Sequence, residues 1–124
     1  MSTENLMKTL EIYAGAWSET DDNKRKAILD QSWDDSGIYT DPYVQATGKE
    51  ELSNYMRQFQ TDMPGASFQY TSTVDEHHGQ LRITWNMLDG DKNVVGIGTS
   101  FGLVGDDGRL QRMTGFFGEP GAES

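Results

Sequence analysis

The sequence has no cysteine, and its 10 basic residues are outnumbered by 20 acidic ones. Without cysteine, neither a disulfide framework nor a thiolate metal site can form. The net charge of −10 repels phosphate backbones and anionic lipids, so we expect neither nucleic acid nor a membrane as a partner. No apolar run approaches the roughly 20 residues of a membrane span, and residues 1–8 do not resemble a signal peptide. These absences favour a soluble, cytoplasmic protein.

Aromatic residues supply what the acidic composition alone would not, namely a core. The 124 residues include three tryptophans, five tyrosines and five phenylalanines, which favours a folded chain over a disordered one. We find no linker, repeat or low-complexity segment. The sequence therefore predicts a single domain over residues 1–124, with residues 119–124 as a loose tail.

Apolar residues recur at helical spacing in the first half of the chain, which predicts three helices. The residues that share one face of the first helix are Leu6, Leu10, Tyr13 and Trp17. We expect Asp21 or Asp22 to cap the second helix, which would turn Trp33 inward. The third helix is expected to end near Pro64.

Beyond Pro64 the apolar period changes to two, which is typical of half-buried strands. Four strands are predicted, and they begin near Phe68, Leu81, Val95 and Leu110. In the third of them we place Thr99 and Phe101 on the inner face and the glycines on the outer face. Helices followed by antiparallel strands indicate an α+β fold, with three N-terminal helices packed on a strongly curved, mostly antiparallel sheet.

Three motifs accompany this order of elements. They are Tyr39-Thr40-Asp41-Pro42, a glycine at position 48 that opens the third helix, and Phe116-Phe117-Gly118-Glu119. Together they resemble the nuclear transport factor 2-like superfamily over residues 6–119. Within it, the chain is similar to bacterial steroid Δ5-3-ketoisomerases and equally to SnoaL-like polyketide cyclases. The resemblance implies a cone-shaped barrel that encloses a pocket, no cofactor, and a homodimer formed through the outer face of the sheet.

The resemblance also assigns roles to single residues. Asp41 falls on the general-base aspartate of the isomerases, and Tyr13 on their oxyanion-binding tyrosine. Thr99 stands where the isomerases place a second acid. The isomerases also have a tyrosine that supports the oxyanion-binding tyrosine. Here Met56 occupies that position, and Tyr55 lies one residue before it. Asp41 would remove a carbon-bound proton while Tyr13 stabilises the enolate, and Thr99 would be a weaker second donor.

The residues themselves leave simpler alternatives open. An aspartate ahead of Pro42 is also typical of a turn, where its carboxylate accepts backbone amides. Tyr13 on an apolar stripe is typical of a core residue. His77 shares parity with Leu81, which makes it a candidate for the cavity, but a solvated turn histidine fits equally well. We expect no metal site, because no second ligand lies at a suitable spacing.

A flat apolar ligand would need a pocket of aromatic and sulfur-containing side chains. The candidates for that lining are Trp17, Trp33, Tyr55, Phe59, Phe68, Trp85, Phe101, Met113 and Phe117. Three functions remain possible: an isomerase or cyclase acting on a small apolar carbonyl compound, a non-catalytic binding module for a hydrophobic ligand, and a dimerisation module. An open cavity from Asp41 to Tyr13 would favour the enzyme, and a cavity plugged by tryptophan would favour the dimerisation module.

Overall fold

The computed structural model describes residues 2–121, which form three helices and seven strands. The helices are α1 (Thr3–Ser18), α2 (Asp22–Ser32) and α3 (Gly48–Asp62). The strands are β1 (Trp33–Asp41), β2 (Val44–Thr47), β3 (Ser67–Tyr70), β4 (Asp75–His77), β5 (Gln80–Leu88), β6 (Val94–Val104) and β7 (Leu110–Phe117). The predicted α+β class is confirmed.

Side-chain caps fix where the first two helices begin. The Ser2 hydroxyl accepts the Asn5 amide at 3.1 Å, and the Asp21 carboxylate accepts the Lys24 amide at 2.9 Å. Each cap satisfies one of the amides that the first turn of a helix leaves unpaired. We expected Trp33 to lie on the inner face of α2. The helix ends at Ser32, however, and Trp33 begins β1.

The hairpin of β1 and β2 was missed by the sequence analysis. Polar residues and a glycine occupy positions 34–37, so the apolar alternation that marks a strand is absent from the first half of β1. In the structure β1 pairs antiparallel with β2 and parallel with β7. Because Tyr39 and Asp41 are two positions apart on β1, both side chains point to the same face of the sheet.

The strands form one sheet in the order β2-β1-β7-β6-β5-β3, with β4 paired to β5. Every neighbouring pair is antiparallel except β1 and β7. The predicted packing of three helices on a curved, mostly antiparallel sheet is confirmed. The sheet remains open, because β2 and β3 form its two edges.

The glycines of β6 face the interior, not the outside of the sheet as we expected. Gly98 pairs with Trp85 and Gly102 pairs with Met113 on the neighbouring strands. A methyl group at Gly98 would overlap the Trp85 indole, and one at Gly102 would overlap the Met113 sulfur. Large side chains on the flanking strands therefore occupy the space that β6 leaves free.

The same reversal moves Thr99 and Phe101 to the outer face. Phe101 is 45% exposed and packs its ring against that of Phe116. Our expectation that these two residues line the pocket was wrong. Size alone favours an interior position for the larger side chains of β6, whereas in the structure the indole of Trp85 occupies the space opposite Gly98.

Residues 118–121 follow β7 as exposed bends and turns. The remainder of the predicted tail, residues 122–124, lies outside the described residues. Within residues 2–121, no helix has the length and apolar character needed to cross a membrane.

We predict that Gly98→Ala lowers the free energy of unfolding by about 1–3 kcal/mol, as overpacking of a rigid site does. The new methyl group would meet the Trp85 ring and the backbone carbonyl of Phe116. Gly96→Ala is the matched control, because its methyl group would lie 3.2 Å from the terminal methyl of Met87, which is flexible. Urea unfolding of both variants checks this, and equal losses would contradict it.

Candidate active site and ligand cavity

Two adjoining cavities lie between the helices and the inner face of the sheet. The inner cavity has a volume of about 40 Å³ and the outer one a volume of about 380 Å³. Side chains that line both are Trp17, Tyr39, Phe68 and Phe117. Small-molecule sites span roughly 300–1,000 Å³, so the outer cavity has the size of a ligand site. The inner one suits a few water molecules.

The carboxylate of Asp41 lies half-buried in the wall of the outer cavity. Its Oδ1 accepts the backbone amides of Tyr43 at 2.8 Å and Val44 at 3.1 Å. Its Oδ2 accepts the hydroxyls of Tyr39 at 2.8 Å and Tyr55 at 2.9 Å. One oxygen therefore has the turn role that the Asp-Pro sequence suggested, and the other belongs to the cavity.

Four donors fill the lone-pair directions of this carboxylate. Two come from the turn into β2, one from β1 and one from α3, so the side chain joins three elements. Before Asp41 Oδ2 could take a proton from a ligand, Tyr39 or Tyr55 would have to release it. Both oxygens of the carboxylate therefore act as hydrogen-bond acceptors.

The phenols near Asp41 remain protonated donors. Burial, with smaller contributions from neighbouring acidic groups, raises the pKa of Tyr39 well above its ordinary value. Burial and the hydrogen bond to Asp41 raise the pKa of Tyr55 in the same direction. Burial also raises the pKa of Tyr13. All three hydroxyls therefore carry their protons at neutral pH.

Tyr13 lines the inner cavity and is 4% exposed. Its ring stacks on Trp33, with centroids 5.3 Å apart and an angle of 16° between the planes. It thus has both the core role and the cavity position that the sequence left open. The outer cavity, which holds Asp41, does not include Tyr13.

Ser100 is the inner-facing hydroxyl of β6 and was missed by the sequence analysis. Its Oγ accepts the Trp85 indole N–H at 2.9 Å, and its side chain lines the inner cavity. Because its oxygen accepts from the indole, its own proton can be donated to another group. Ser100, not Thr99, is therefore the β6 hydroxyl that faces the same side as Tyr13.

The structure brings nine of the predicted site residues to the cavity walls. These are Tyr13, Trp17, Asp41, Tyr55, Phe59, Phe68, Trp85, Met113 and Phe117. Their position is a fact of the fold, and their role toward a ligand stays a prediction. Four others lie elsewhere: Thr99 and Phe101 on the outer face, and Trp33 and His77 for the reasons that follow.

Trp33 is fully buried, with 0% of its surface exposed, and lines neither cavity. It belongs to the core, where its ring stacks on Tyr13 of α1 and lies close to Gly37. A methyl group at Gly37 would press on that ring. The expected ligand contact was wrong because the residue begins a strand and does not lie on a helix.

His77 is exposed at the end of β4 and is absent from both cavities. The residues that follow it, His78 and Gly79, have φ values of 52° and 80° and form a two-residue turn. Such a turn pairs His77 with Gln80, which puts both on the face opposite Leu81. Parity counted straight through the turn gave the wrong face.

Tyr39 and Tyr43 are further cavity residues that the sequence analysis did not select. Tyr39 stands two positions before Asp41, and this spacing signals a shared face once β1 is recognised as a strand. Tyr43 is 78% exposed in the turn and packs its ring against Phe117. Within residues 2–121, no group of three or more histidine, aspartate or glutamate side chains could hold a metal ion.

Comparison with known proteins identifies the fold. No protein-family model matches the chain, and no curated protein matches it by sequence. Among solved structures, a SnoaL-like candidate isomerase from Agrobacterium tumefaciens is 25% identical, with a TM-score of 0.85 over 94% of this chain and 99% of that one. A nuclear transport factor 2-like protein from Exiguobacterium sp. 255-15 is 15% identical, with a TM-score of 0.71 over 90% and 98%.

A third structure has a ketosteroid isomerase-like fold and comes from Catenulispora acidiphila, in complex with trimethylamine. It is 12% identical, with a TM-score of 0.70 over 87% of this chain and 83% of that one. The chain therefore has the nuclear transport factor 2-like fold, as the sequence motifs predicted. These neighbours share an architecture and no single activity, so function has to be argued from the site.

We predict that stability falls as pH rises above about 10, the ordinary tyrosine value. The folded pKa of Tyr39 is raised, so its contribution is complete below the unfolded value and is lost as the unfolded chain releases protons. In Tyr39→Phe the free energy of unfolding should therefore decline less steeply with pH than in Tyr43→Phe, the control at an exposed position. Urea unfolding across the alkaline range measures both slopes. Equal slopes would contradict the assignment.

Proposed function

We propose that the protein binds a small, mainly apolar molecule in the outer cavity, in contact with Asp41. The observation that carries this proposal is a cavity of about 380 Å³ whose aromatic wall contains one half-buried carboxylate. Apolar walls with a few convergent polar groups are typical of ligand sites. The Catenulispora structure in complex with trimethylamine supports a small-molecule pocket in this fold.

A second candidate is cofactor-free isomerisation or cyclisation of an apolar carbonyl compound. Asp41 would remove a proton from carbon, electrons would shift to the carbonyl oxygen, and Asp41 would return the proton to another carbon. Hydroxyl donors for the oxyanion are available in the inner cavity, where Tyr13 and Ser100 both lie. This arrangement, and the Agrobacterium neighbour named as a candidate isomerase, favour the hypothesis.

Two features favour binding over turnover. The four hydrogen bonds to Asp41 leave its oxygens without a free lone-pair direction. Neither cavity includes both Asp41 and Tyr13, and the two cavities share aromatic rings such as that of Trp17 in their walls. Catalysis would require both a released carboxylate oxygen and a ligand that reaches past these rings.

A panel of β,γ-unsaturated ketones tests binding and turnover in the same samples. We expect panel members to raise the melting temperature of the wild type, as ligands of the folded state do. Any double-bond migration seen by ultraviolet absorbance should fall at least about 10³-fold in Asp41→Asn, because the variant lacks the base. Equal rates in both proteins would dispose of the catalytic role. No thermal shift with any member would count against ligand binding of this class.

We further propose that the outer face of the sheet pairs with a second copy of the chain. Ile97 is 48% exposed, Phe101 45% and Phe116 56%. The two phenylalanine rings are in contact, with centroids 5.9 Å apart. Apolar residues grouped on one face of a folded domain are typical of an interface.

Sedimentation equilibrium tests this pairing. We expect the wild type to sediment as a dimer, and Phe101→Asp to shift it toward the monomer, because burying an unpaired carboxylate in an apolar interface is unfavourable. Tyr43→Asp is the matched control, since Tyr43 is exposed but lies at the cavity and not on this face. A monomeric wild type, or equal dissociation in both variants, would contradict the proposal.

A further inference from the structure

We infer that the outer cavity selects a ligand that carries a positive charge, an alkylammonium group placed beside Asp41. The inference rests on the proposal that this cavity binds a small molecule, and it specifies the chemical class of that molecule. It does not depend on the isomerase hypothesis, because an ammonium group next to Asp41 would occupy the position from which a carbon acid has to be deprotonated.

The first argument is that the Asp41 carboxylate has no counter-ion. Its four hydrogen-bond donors are two backbone amides and two phenols, all of them neutral. None of the ion pairs within residues 2–121 includes Asp41. None of the ten lysine and arginine residues lines either cavity, and neither histidine does. A half-buried carboxylate without a cation loses part of its hydration and gains no compensating charge, and a cationic ligand would supply that charge.

The second argument concerns the aromatic wall. Seven aromatic side chains line the outer cavity. Trp17 stands among them, with its ring centroid 5.1 Å from that of Tyr39 and 5.8 Å from that of Tyr55. The faces of aromatic rings are electron-rich and attract organic cations, and cages of such rings recognise methylated ammonium groups. The aromatic rings and the carboxylate therefore both attract a positive charge.

The third argument is the direction of the phenol protons. Tyr39 and Tyr55 both donate to Asp41 Oδ2. Toward the cavity these hydroxyls consequently offer oxygen lone pairs, which accept hydrogen bonds from an N–H group and repel an anion. The net charge of −10 adds a field that concentrates cations and depletes anions around the protein. Carboxylate, ring faces and phenol oxygens thus all favour a cation.

Three compounds form a matched series for the test. They are choline, the neutral alcohol in which a carbon atom replaces the nitrogen, and the carboxylate that carries the same tert-butyl group. Isothermal titration should show that the wild type binds choline about tenfold more tightly than the neutral analogue, because ring faces and carboxylate both attract the charge. The carboxylate should bind more weakly than either. Added salt should weaken choline binding and leave the neutral analogue unchanged. Shifts of the Trp17 indole resonance would place the ligand in the cavity.

Two variants separate charge from shape. Asp41→Asn keeps the size of the side chain and should reduce the preference for choline to about threefold or less, which leaves the ring faces alone. Tyr55→Phe keeps the carboxylate and removes one donor to it, so the preference should persist or increase. Circular dichroism verifies that each variant is folded. If Asp41→Asn does not fold, the salt response of the wild type and the result for Tyr55→Phe decide the question.

The possible failures are distinguishable. If the wild type binds the neutral analogue as tightly as choline, or if choline binding ignores salt, the charge inference is wrong while the proposed ligand cavity stands. An undiminished preference for choline in folded Asp41→Asn would equally overturn it. If none of the three compounds and none of the ketones binds, the ligand cavity itself is refuted, and the inference with it.

Discussion

The four hydrogen bonds to Asp41 connect the elements that form one wall of the outer cavity. Through one carboxylate, the turn that leads into β2, the strand β1 and the helix α3 share a single polar anchor. The helix α3 also meets the sheet through an ion pair between Lys49 and Asp35 of β1, 2.6 Å apart, and through buried apolar residues such as Met56. Hydrogen bonds to a charged group contribute more than neutral ones. The position of Tyr55, and with it one wall of the cavity, follows from this anchor.

The second constraint is the pair of inner-facing glycines on β6, Gly98 and Gly102. Gly98 leaves room for the Trp85 indole, whose N–H then reaches Ser100 on the same strand. Trp85 in turn contacts Phe68 and Phe117, with ring centroids 5.2 and 5.6 Å apart. The wall of the inner cavity on this side is thus formed by aromatic side chains from other strands. The strand β6 contributes the space at Gly98 and the hydroxyl of Ser100.

The sequence predicted those parts of the fold that have clear periodicity. Trp17 and Phe59 lie on amphipathic helices and Phe68 on an alternating strand, so their inward faces could be found by spacing alone. The strand β1 could not be found in this way, because its first half carries polar residues and Gly37. The error at His77 has another cause, because the two-residue turn after it changes which residues of β4 and β5 share a face. On β6 the cause is the size of Trp85, which occupies the space beside Gly98. The partners of Asp41 required coordinates, since Tyr55 approaches it from a separate helix.

The parallel pairing of β1 with β7 has a consequence for biosynthesis. Tyr39 is aligned with Met113. The strand β1 is synthesised early during translation, but its pairing partner β7 is synthesised near the end. Until β7 has emerged from the ribosome, β1 has only the short β2 beside it, and its other edge offers unpaired backbone groups to any neighbouring strand. Contacts between distant parts of a chain also form slowly. While β7 is missing, the sheet is therefore incomplete at β1, and the net charge of −10 disfavours the approach of a second copy of this acidic chain.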